Sequence, residues 1–124
     1  MSLQPPGATV FGDPGLLARA IAEATDDVIF AKDLEGRYQF ANPAMLAAVG
    51  CTAQEVLGRR DGEFLHDRET ADRMMASDRR VLAEGRTMEV EESLRTRGGQ
   101  LRHWHTRKMP LRDAQGALIG LLGR

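Results

Sequence analysis

The hydrophobic residues of this 124-residue chain follow two periods, one typical of helices and one typical of strands. A helical stripe comes first in "DPGLLARAIAEAT", where Asp13 can cap the helix and Pro14 suits its first turn. Two β-rich runs follow, "DVIFAK" and "RYQFA", joined by the turn "DLEG" with Asp first and Gly last. We expect this hairpin to bring Phe30 and Phe40 close together.

Several short helices and one long helix are predicted next. Asn42 can cap a helix that Gly50 ends, and Thr52 opens a capping box before another short helix. The stretch "DGEFL" predicts one further turn, and a long helix runs from about Asp67 to Gly85. One face of the long helix carries Ala71, Met74, Met75, Asp78, Val81 and Leu82.

The last third of the chain reads as strands, in "TMEVEESL", "QLRHWHTRKMPL" and "ALIGLLG". Two strands before the helices and three after them predict an α+β fold, with a five-stranded antiparallel sheet and helices packed on one face. An amphipathic helix precedes the sheet. The space between the sheet and the helices is where a small molecule could bind.

Composition narrows the class of protein. The formal net charge is −1, so no basic surface indicates nucleic acid or an anionic membrane as a partner. The single cysteine, Cys51, excludes an internal disulfide, and no apolar run approaches the ~20 residues of a membrane span, so we expect a cytoplasmic domain. Only Lys32 and Lys108 are lysines among 17 basic residues, which we attribute to genome composition rather than to chemistry.

Three stretches in their order and spacing resemble a PAS domain: "DVIFAKDLEGRYQFANPAMLAAVGCTAQEVLGR", "DRRVLAEGRTMEVEE" and "HTRKMPLRDAQGALIGLLGR". The resemblance implies the strand order 2-1-5-4-3. It also implies a sensory or dimerising module of a larger bacterial signalling protein, such as a histidine kinase or a diguanylate cyclase. Because the last strand of this family commonly runs into a linker, we interpret the ending "LLGR" as a fragment boundary before a C-terminal output domain.

The resemblance also sets the expected division of the chain. Residues 1–12 are predicted to be disordered or derived from a tag, residues 13–25 to form a flanking helix, and residues 26–124 to form the PAS domain. Members of the family that bind haem use a histidine on the long helix, but here His66 only precedes that helix. Members that bind flavin carry a cysteine where this chain has "DGEFL", so Cys51 is interpreted as a buried spectator. We therefore predict neither cofactor.

The candidate pocket residues are the methionines and phenylalanines expected to converge between helices and sheet: Phe30, Phe40, Met45, Phe64, Met74, Met75 and Met88. An ordinary core is the alternative to a pocket for an unidentified small molecule. Asp78 is the odd residue on its apolar face, and we expect it to cap or pair locally. Glu91 and Glu92 are expected to pair with Arg107 and Lys108 across a hairpin.

A metal site is considered for His103 and His105, which share one strand face, with His66 as a third ligand. The alternative is a solvent-facing or partner-facing strand surface, and we predict no metal. No Gly-rich phosphate loop, Ser-His-Asp set or zinc motif occurs in the sequence, so we predict no enzyme.

We expect a homodimer that buries the stripe of the first helix, which consists of Leu16, Leu17, Ala20, Ile21 and Ala24. The alternative is that this helix folds back on its own sheet. Three functions stay open: a module that senses a small molecule, a ligand-free module for dimerisation and signal relay, and a small-molecule enzyme on the same scaffold.

Overall fold

The five strands are β1 (Phe30–Asp33), β2 (Tyr38–Ala41), β3 (Met88–Arg95), β4 (Leu101–Arg112) and β5 (Leu118–Gly123). They form one antiparallel sheet in the order β2-β1-β5-β4-β3, which confirms the predicted fold class and topology. The structure is a computed structural model that describes residues 12–96 and 98–124. The predicted N-terminal segment therefore lies outside the described residues, apart from Gly12.

The helices are α1 (Pro14–Glu23), α2 (Pro43–Val49), α3 (Ala53–Val56), α4 (Asp61–Phe64) and α5 (Arg68–Glu84). Local capping chemistry bounds α2 and α5 at the predicted positions. The Asn42 side chain accepts a hydrogen bond from the Met45 backbone at the start of α2, and Gly50 ends that helix in the left-handed region. Asp67 and Gly85 bound α5 in the same way.

Helices α2 to α5 cover one face of the sheet, which we call the inner face, and the hydrophobic core lies between them. Side chains alternate along each strand, so every second residue points into this core. The largest apolar contributions from the sheet are the fully buried side chains Tyr38, Leu94 and Leu121. The opposite face, the outer face, has no such helical layer among the described residues.

Phe40 does not join the core, contrary to the expectation for the first hairpin. Near the turn Lys32 pairs with Tyr38, but a β-bulge shifts the register so that Phe40 lies opposite Ala31. One extra residue moves every following side chain to the other face of a strand. Phe40 therefore lies on the outer face, and Tyr38 takes the place beside Phe30, with ring centroids 5.7 Å apart.

The register of the β3–β4 hairpin also differs from the expected pairing. Glu91 lies opposite His105, while Arg107 lies opposite Glu89, so the predicted Glu91–Arg107 pair is wrong. Glu92 lies directly opposite Trp104, yet its carboxylate accepts a hydrogen bond from Lys108 at 2.8 Å. The predicted partner of Glu92 is therefore correct, although the two residues are not direct cross-strand neighbours.

Helix α1 borders the outer face without being buried by it. Ala22 is its one buried residue, while Leu16 and Ile21 are 55% and 61% exposed. A groove of about 510 Å³ separates the helix from Phe40 and Leu122 of the sheet. The apolar stripe of α1 is thus left largely uncovered within one chain.

Candidate functional site

A network of charged and polar side chains crosses the hydrophobic core. It comprises Lys32, Tyr38, Asp61, Ser77, Asp78, Glu92 and Lys108, which come from six different helices and strands. Three of its side chains, Lys32, Asp61 and Lys108, are at most 1% exposed. Buried charges require partners because the core cannot solvate them.

Asp78 of helix α5 is the central member of the network. Its Oδ2 accepts a hydrogen bond from Lys32 of β1 at 2.5 Å, and its Oδ1 accepts one from Lys108 of β4 at 2.7 Å. One carboxylate thus joins the long helix to two strands, β1 and β4, which lie on either side of β5. The expectation that Asp78 pairs only locally is wrong, since both partners are at least 30 residues away in sequence.

The two ends of the network are satisfied differently. At one end Asp61 accepts hydrogen bonds from Lys32 and from the Tyr38 hydroxyl, each at 2.6 Å. At the other end the Lys108 ammonium uses all three of its donors, on Asp78, Ser77 and Glu92, at 2.7 to 2.8 Å. A lysine suits this position because its ammonium is compact and donates in three directions.

The network shifts the pKa of two of its members. Burial raises the pKa of the Tyr38 hydroxyl well above its ordinary value, and the negative charge of Asp61 raises it further. Burial alone would lower the pKa of Lys32, but attraction to Asp61 and Asp78 outweighs it, so the pKa is raised. Both shifts keep the protons on Lys32 and Tyr38 in the folded protein.

A small cavity of about 30 Å³ lies beside the network, between the inner face of the sheet, α2 and α5. That volume holds only about one or two water molecules. Its apolar wall includes Phe30, Met45 and Met74, and its polar wall includes Glu92 and Lys108. The site therefore combines an apolar chamber with charged groups at one end, although it is nearly filled by side chains.

The structure separates the seven predicted pocket residues into three groups. Phe30, Met45 and Met74 line the cavity. Phe64, Met75 and Met88 pack against the core elsewhere, and the Phe64 ring meets Tyr38 edge-on at 5.4 Å between ring centroids. As shown above, the seventh residue, Phe40, lies on the outer face.

Sequence reasoning missed the charged network, although one signal was visible. The only two lysines of an Arg-rich chain, Lys32 and Lys108, both occupy inward positions of predicted strands. Asp78 was a second visible signal, because it is a charged residue on an otherwise apolar helix face. Charged residues at core positions indicate buried partners, because an unpaired buried charge is costly.

The histidines and the cysteine lie away from the cavity. His103 Nδ1 is 2.7 Å from the Ser93 hydroxyl, and His105 lies 3.5 Å from Glu89, all on the outer face. Within residues 12–96 and 98–124, no group of three or more His, Cys, Asp or Glu side chains is placed to hold a metal ion. Cys51 is buried.

A family model described as the PAS fold matches residues 22–124. The chain belongs to this PAS family. The PAS domain of BvgS from Bordetella pertussis has the same fold, with a TM-score of 0.74 and 30% identity. That match covers 90% of this chain and 84% of the other. The order β2-β1-β5-β4-β3 with helices on one face is thus the architecture of a solved PAS domain.

Two curated relatives of this PAS domain are a histidine kinase and a diguanylate cyclase. The methanogenesis regulatory histidine kinase FilI of Methanothrix harundinacea is 38% identical over 105 residues, which cover 85% of this chain and 12% of FilI. A diguanylate cyclase of Vibrio cholerae is 33% identical over 97 residues, covering 77% of this chain and 30% of the cyclase. The PAS domain therefore spans less than a third of either relative. None of its described helices is long and apolar enough to cross a membrane.

Proposed function

We propose that this PAS domain is a sensory and signal-relay module of a larger signalling protein of the histidine kinase or diguanylate cyclase type. The observation that carries the proposal is the Asp78 bridge, because a single carboxylate joins helix α5 to strands β1 and β4. An event that redistributes charge in the core would change the contacts that hold helix α5 to the sheet. Interiors packed this closely transmit such a shift instead of absorbing it.

The output domain receives the shift through the sheet. Strand β5 lies between β1 and β4, so both strands held by Asp78 flank it. Its last residue, Gly123, pairs with both Phe30 and Lys108. A change at the bridge would therefore reach the end of β5, where a following output domain would be attached; the matched segment is 12% of the histidine kinase and 30% of the diguanylate cyclase.

The relay can be tested in a chimera with the Vibrio cholerae diguanylate cyclase. This chain replaces the matching 97-residue segment, and cyclase activity is compared for the unmodified chimera, an Asp78→Asn variant and an Asp72→Asn control. Asp72 is exposed on the same helix, so its substitution leaves the core intact. We expect Asp78→Asn to change the activity and Asp72→Asn to leave it unchanged. Equal activities in all three folded chimeras would contradict the relay.

We further propose that the domain pairs with a second copy through helix α1. Ile21 of α1 lines the apolar groove that contains Phe40 and Leu122, and Leu16 of the same helix is exposed. A symmetric pair of chains could place each exposed helix stripe against the groove of the other chain. This arrangement would cover apolar surface that one chain leaves in water.

Sedimentation equilibrium tests the dimer directly. Ile21→Glu places a charge in the proposed interface and should shift the protein towards monomer. Leu101→Glu is the matched control, because Leu101 is similarly exposed, at 51% against 61% for Ile21, but lies in β4. A monomeric unmodified chain at high concentration, or equal dissociation of both variants, would overturn this interface.

The domain's own signal is proposed to be a small molecule rather than haem, flavin or a metal, and no catalysis is proposed. A ligand-free relay is the alternative, and the near-filled cavity of about 30 Å³ favours it. Native mass spectrometry of the purified domain separates the two, since it reports a copurified molecule and the oligomeric state in one spectrum. A ligand-free dimer would favour the alternative.

A further inference from the structure

A surface depression of about 370 Å³ lies between helix α5 and the turn that joins β1 to β2. The turn contributes Leu34 to its lining, α5 contributes Met75 and Leu82, and Arg60 joins them from the residue before α4. It shares no lining residue with the core cavity of about 30 Å³. Its volume falls in the range of ligand pockets, roughly 300–1,000 Å³, so a small molecule fits here without enlarging the core.

One face of helix α5 forms a large part of this depression. The α5 residues that line it are spaced i, i+3, i+4 and i+7, which places them on the same side of the helix: Met75, Asp78, Arg79 and Leu82. Met75 and Leu82 are half-buried, while Leu34 of the facing turn is 53% exposed. These three side chains offer apolar surface to the body of a ligand.

Two arginines bring positive charge to this apolar surface. Arg79 is exposed, and it makes no hydrogen bond or ion pair with any residue that the structure describes. Arg60 is anchored to the turn, because its Nε donates to the Glu35 carbonyl at 2.8 Å, while its Nη2 lies 3.7 Å from the Glu35 carboxylate. An anion that enters the depression therefore meets one guanidinium without a partner and a second one that is already held in place.

The two acidic residues of the depression do not cancel this positive charge. The Asp78 carboxylate is already matched, since its two oxygens accept hydrogen bonds from Lys32 and Lys108. The Glu35 side chain is 70% exposed, and its carboxylate lies too far from its arginine neighbours for hydrogen bonds, at 3.7 and 3.8 Å. Two arginines against Glu35 leave one net positive charge, which suits a single carboxylate better than a doubly charged phosphate.

We propose that this depression binds a small organic carboxylate with an apolar body, which pairs with Arg79 and Arg60 and lies against the apolar residues of α5 and the turn. A guanidinium is planar and donates two parallel hydrogen bonds to a carboxylate, so its geometry suits this class of ligand. The inference rests on the proposed sensory function and names a ligand class for it. A bound ligand would bridge α5 and the turn after β1, the same two elements that Asp78 and Lys32 join in the core.

Three probes with the same ring system and different charge test the inference: 2-naphthoate, 2-naphthylmethanol and 2-naphthylmethylamine. Titration calorimetry gives the affinities, and the backbone amide resonances of residues 34–36 and 75–82 locate the site. We expect 2-naphthoate to shift these resonances and to bind about tenfold more tightly than the alcohol, since a charge-assisted hydrogen bond is the stronger one. The amine should not bind measurably.

Three substitutions at exposed positions assign the preference to this depression. Arg79→Gln should weaken binding of 2-naphthoate about tenfold, because it removes the guanidinium that has no other partner. Arg80→Gln is the matched control and should leave the affinity unchanged, since Arg80 is exposed on the same helix but does not line the depression. Glu35→Gln should strengthen binding about threefold, because it removes an exposed carboxylate that competes for Arg60.

Three results would overturn the inference. Equal affinity for the alcohol or the amine would show a depression without the proposed charge preference. Equal weakening by Arg79→Gln and Arg80→Gln would show attraction to the basic surface of α5 in general. No shift of the amide resonances with any probe would remove the depression as a ligand site. The cyclase chimera judges the relay separately through Asp78→Asn, so failure of the ligand class and failure of the proposed function remain distinguishable.

Discussion

The Lys108 ammonium of strand β4 donates to Asp78 of helix α5 at 2.7 Å, with 1% and 4% of the two side chains exposed. Such a buried pair is not in itself strong evidence of stability, because desolvation offsets much of the attraction. Removing one partner is different, since it leaves an uncompensated charge in the core. Asp78 is an extreme case because its loss affects Lys32 as well.

Replacing Asp78 with asparagine should therefore destabilise the domain by about 3–5 kcal/mol. The amide keeps the shape of the carboxylate, but its NH2 group would point a donor at one of the two lysine donors. Urea unfolding followed by circular dichroism measures the change. Asp72→Asn on the exposed side of the same helix should change the free energy of unfolding by less than ~0.5 kcal/mol. Similar midpoints for both variants would show that the network contributes little.

Local chemistry made much of this fold predictable. Asn42, Gly50 and Thr52 bound short helices because a cap needs only residues within one turn. The bulge that turns Phe40 outward was not predictable, since it depends on how β2 pairs with β1. The partners of Asp78 were not predictable either, because they lie far from it in the sequence. The alternation of side chains along a strand shows which face of the sheet a lysine occupies. It does not show where a distant helix places its carboxylate.

The domain should lose stability at alkaline pH. Tyr38 is the only tyrosine, with an ordinary pKa of 10.0 that is raised in the fold. Above that value the unfolded chain releases the proton while the folded chain retains it, so unfolding becomes more favourable as the pH rises. Lys32 acts with the same sign above its ordinary pKa of 10.5, because its folded pKa is also raised.

Tyrosinate absorbance recorded together with circular dichroism tests this expectation. Tyrosinate should appear only as the fold is lost, above pH 10. Its appearance near pH 10 with the dichroism unchanged would show that the Tyr38 hydroxyl is accessible. Tyr38→Phe removes the donor to Asp61 and should cost about 1–3 kcal/mol at neutral pH, where the tyrosine itself does not titrate.

Gly123→Ala should destabilise the end of strand β5. A Cβ at this position would lie 2.1 Å from Cζ of the buried Phe30 ring, far inside contact distance. Overpacking of this kind costs about 1–3 kcal/mol, and Phe30→Leu in the same chain should recover part of it. Gly62→Ala is the control, because its Cβ would meet Met75 at an ordinary 3.5 Å. Equal stability of both alanine variants would contradict the packing described at Phe30.

Asn42 connects the end of helix α1, the segment before β1 and the start of helix α2. Its contact with α1 matters to the proposed dimer, because α1 forms the interface. Its side-chain oxygen accepts from Ile29 and Met45 backbone amides, while its NH2 group donates to the carbonyls of Ala22 and Asp27. The side chain is fully buried, and its bonds to Ala22 and Met45 are buried while those to Ile29 and Asp27 are partly buried. Helix α1 is thus held to the sheet by a donor that only an amide at this position supplies.

Asn42→Asp should release helix α1 while keeping the cap of α2. A carboxylate still accepts from both amides, but it cannot donate, and it would face the Ala22 and Asp27 carbonyls with like charge. We expect a loss of about 2–3 kcal/mol and faster hydrogen exchange in residues 14–24 than in α2. Asn42→Ala is the comparison, because it removes both functions and should speed exchange in both helices. Unchanged exchange in residues 14–24 of the aspartate variant would show that other contacts hold α1.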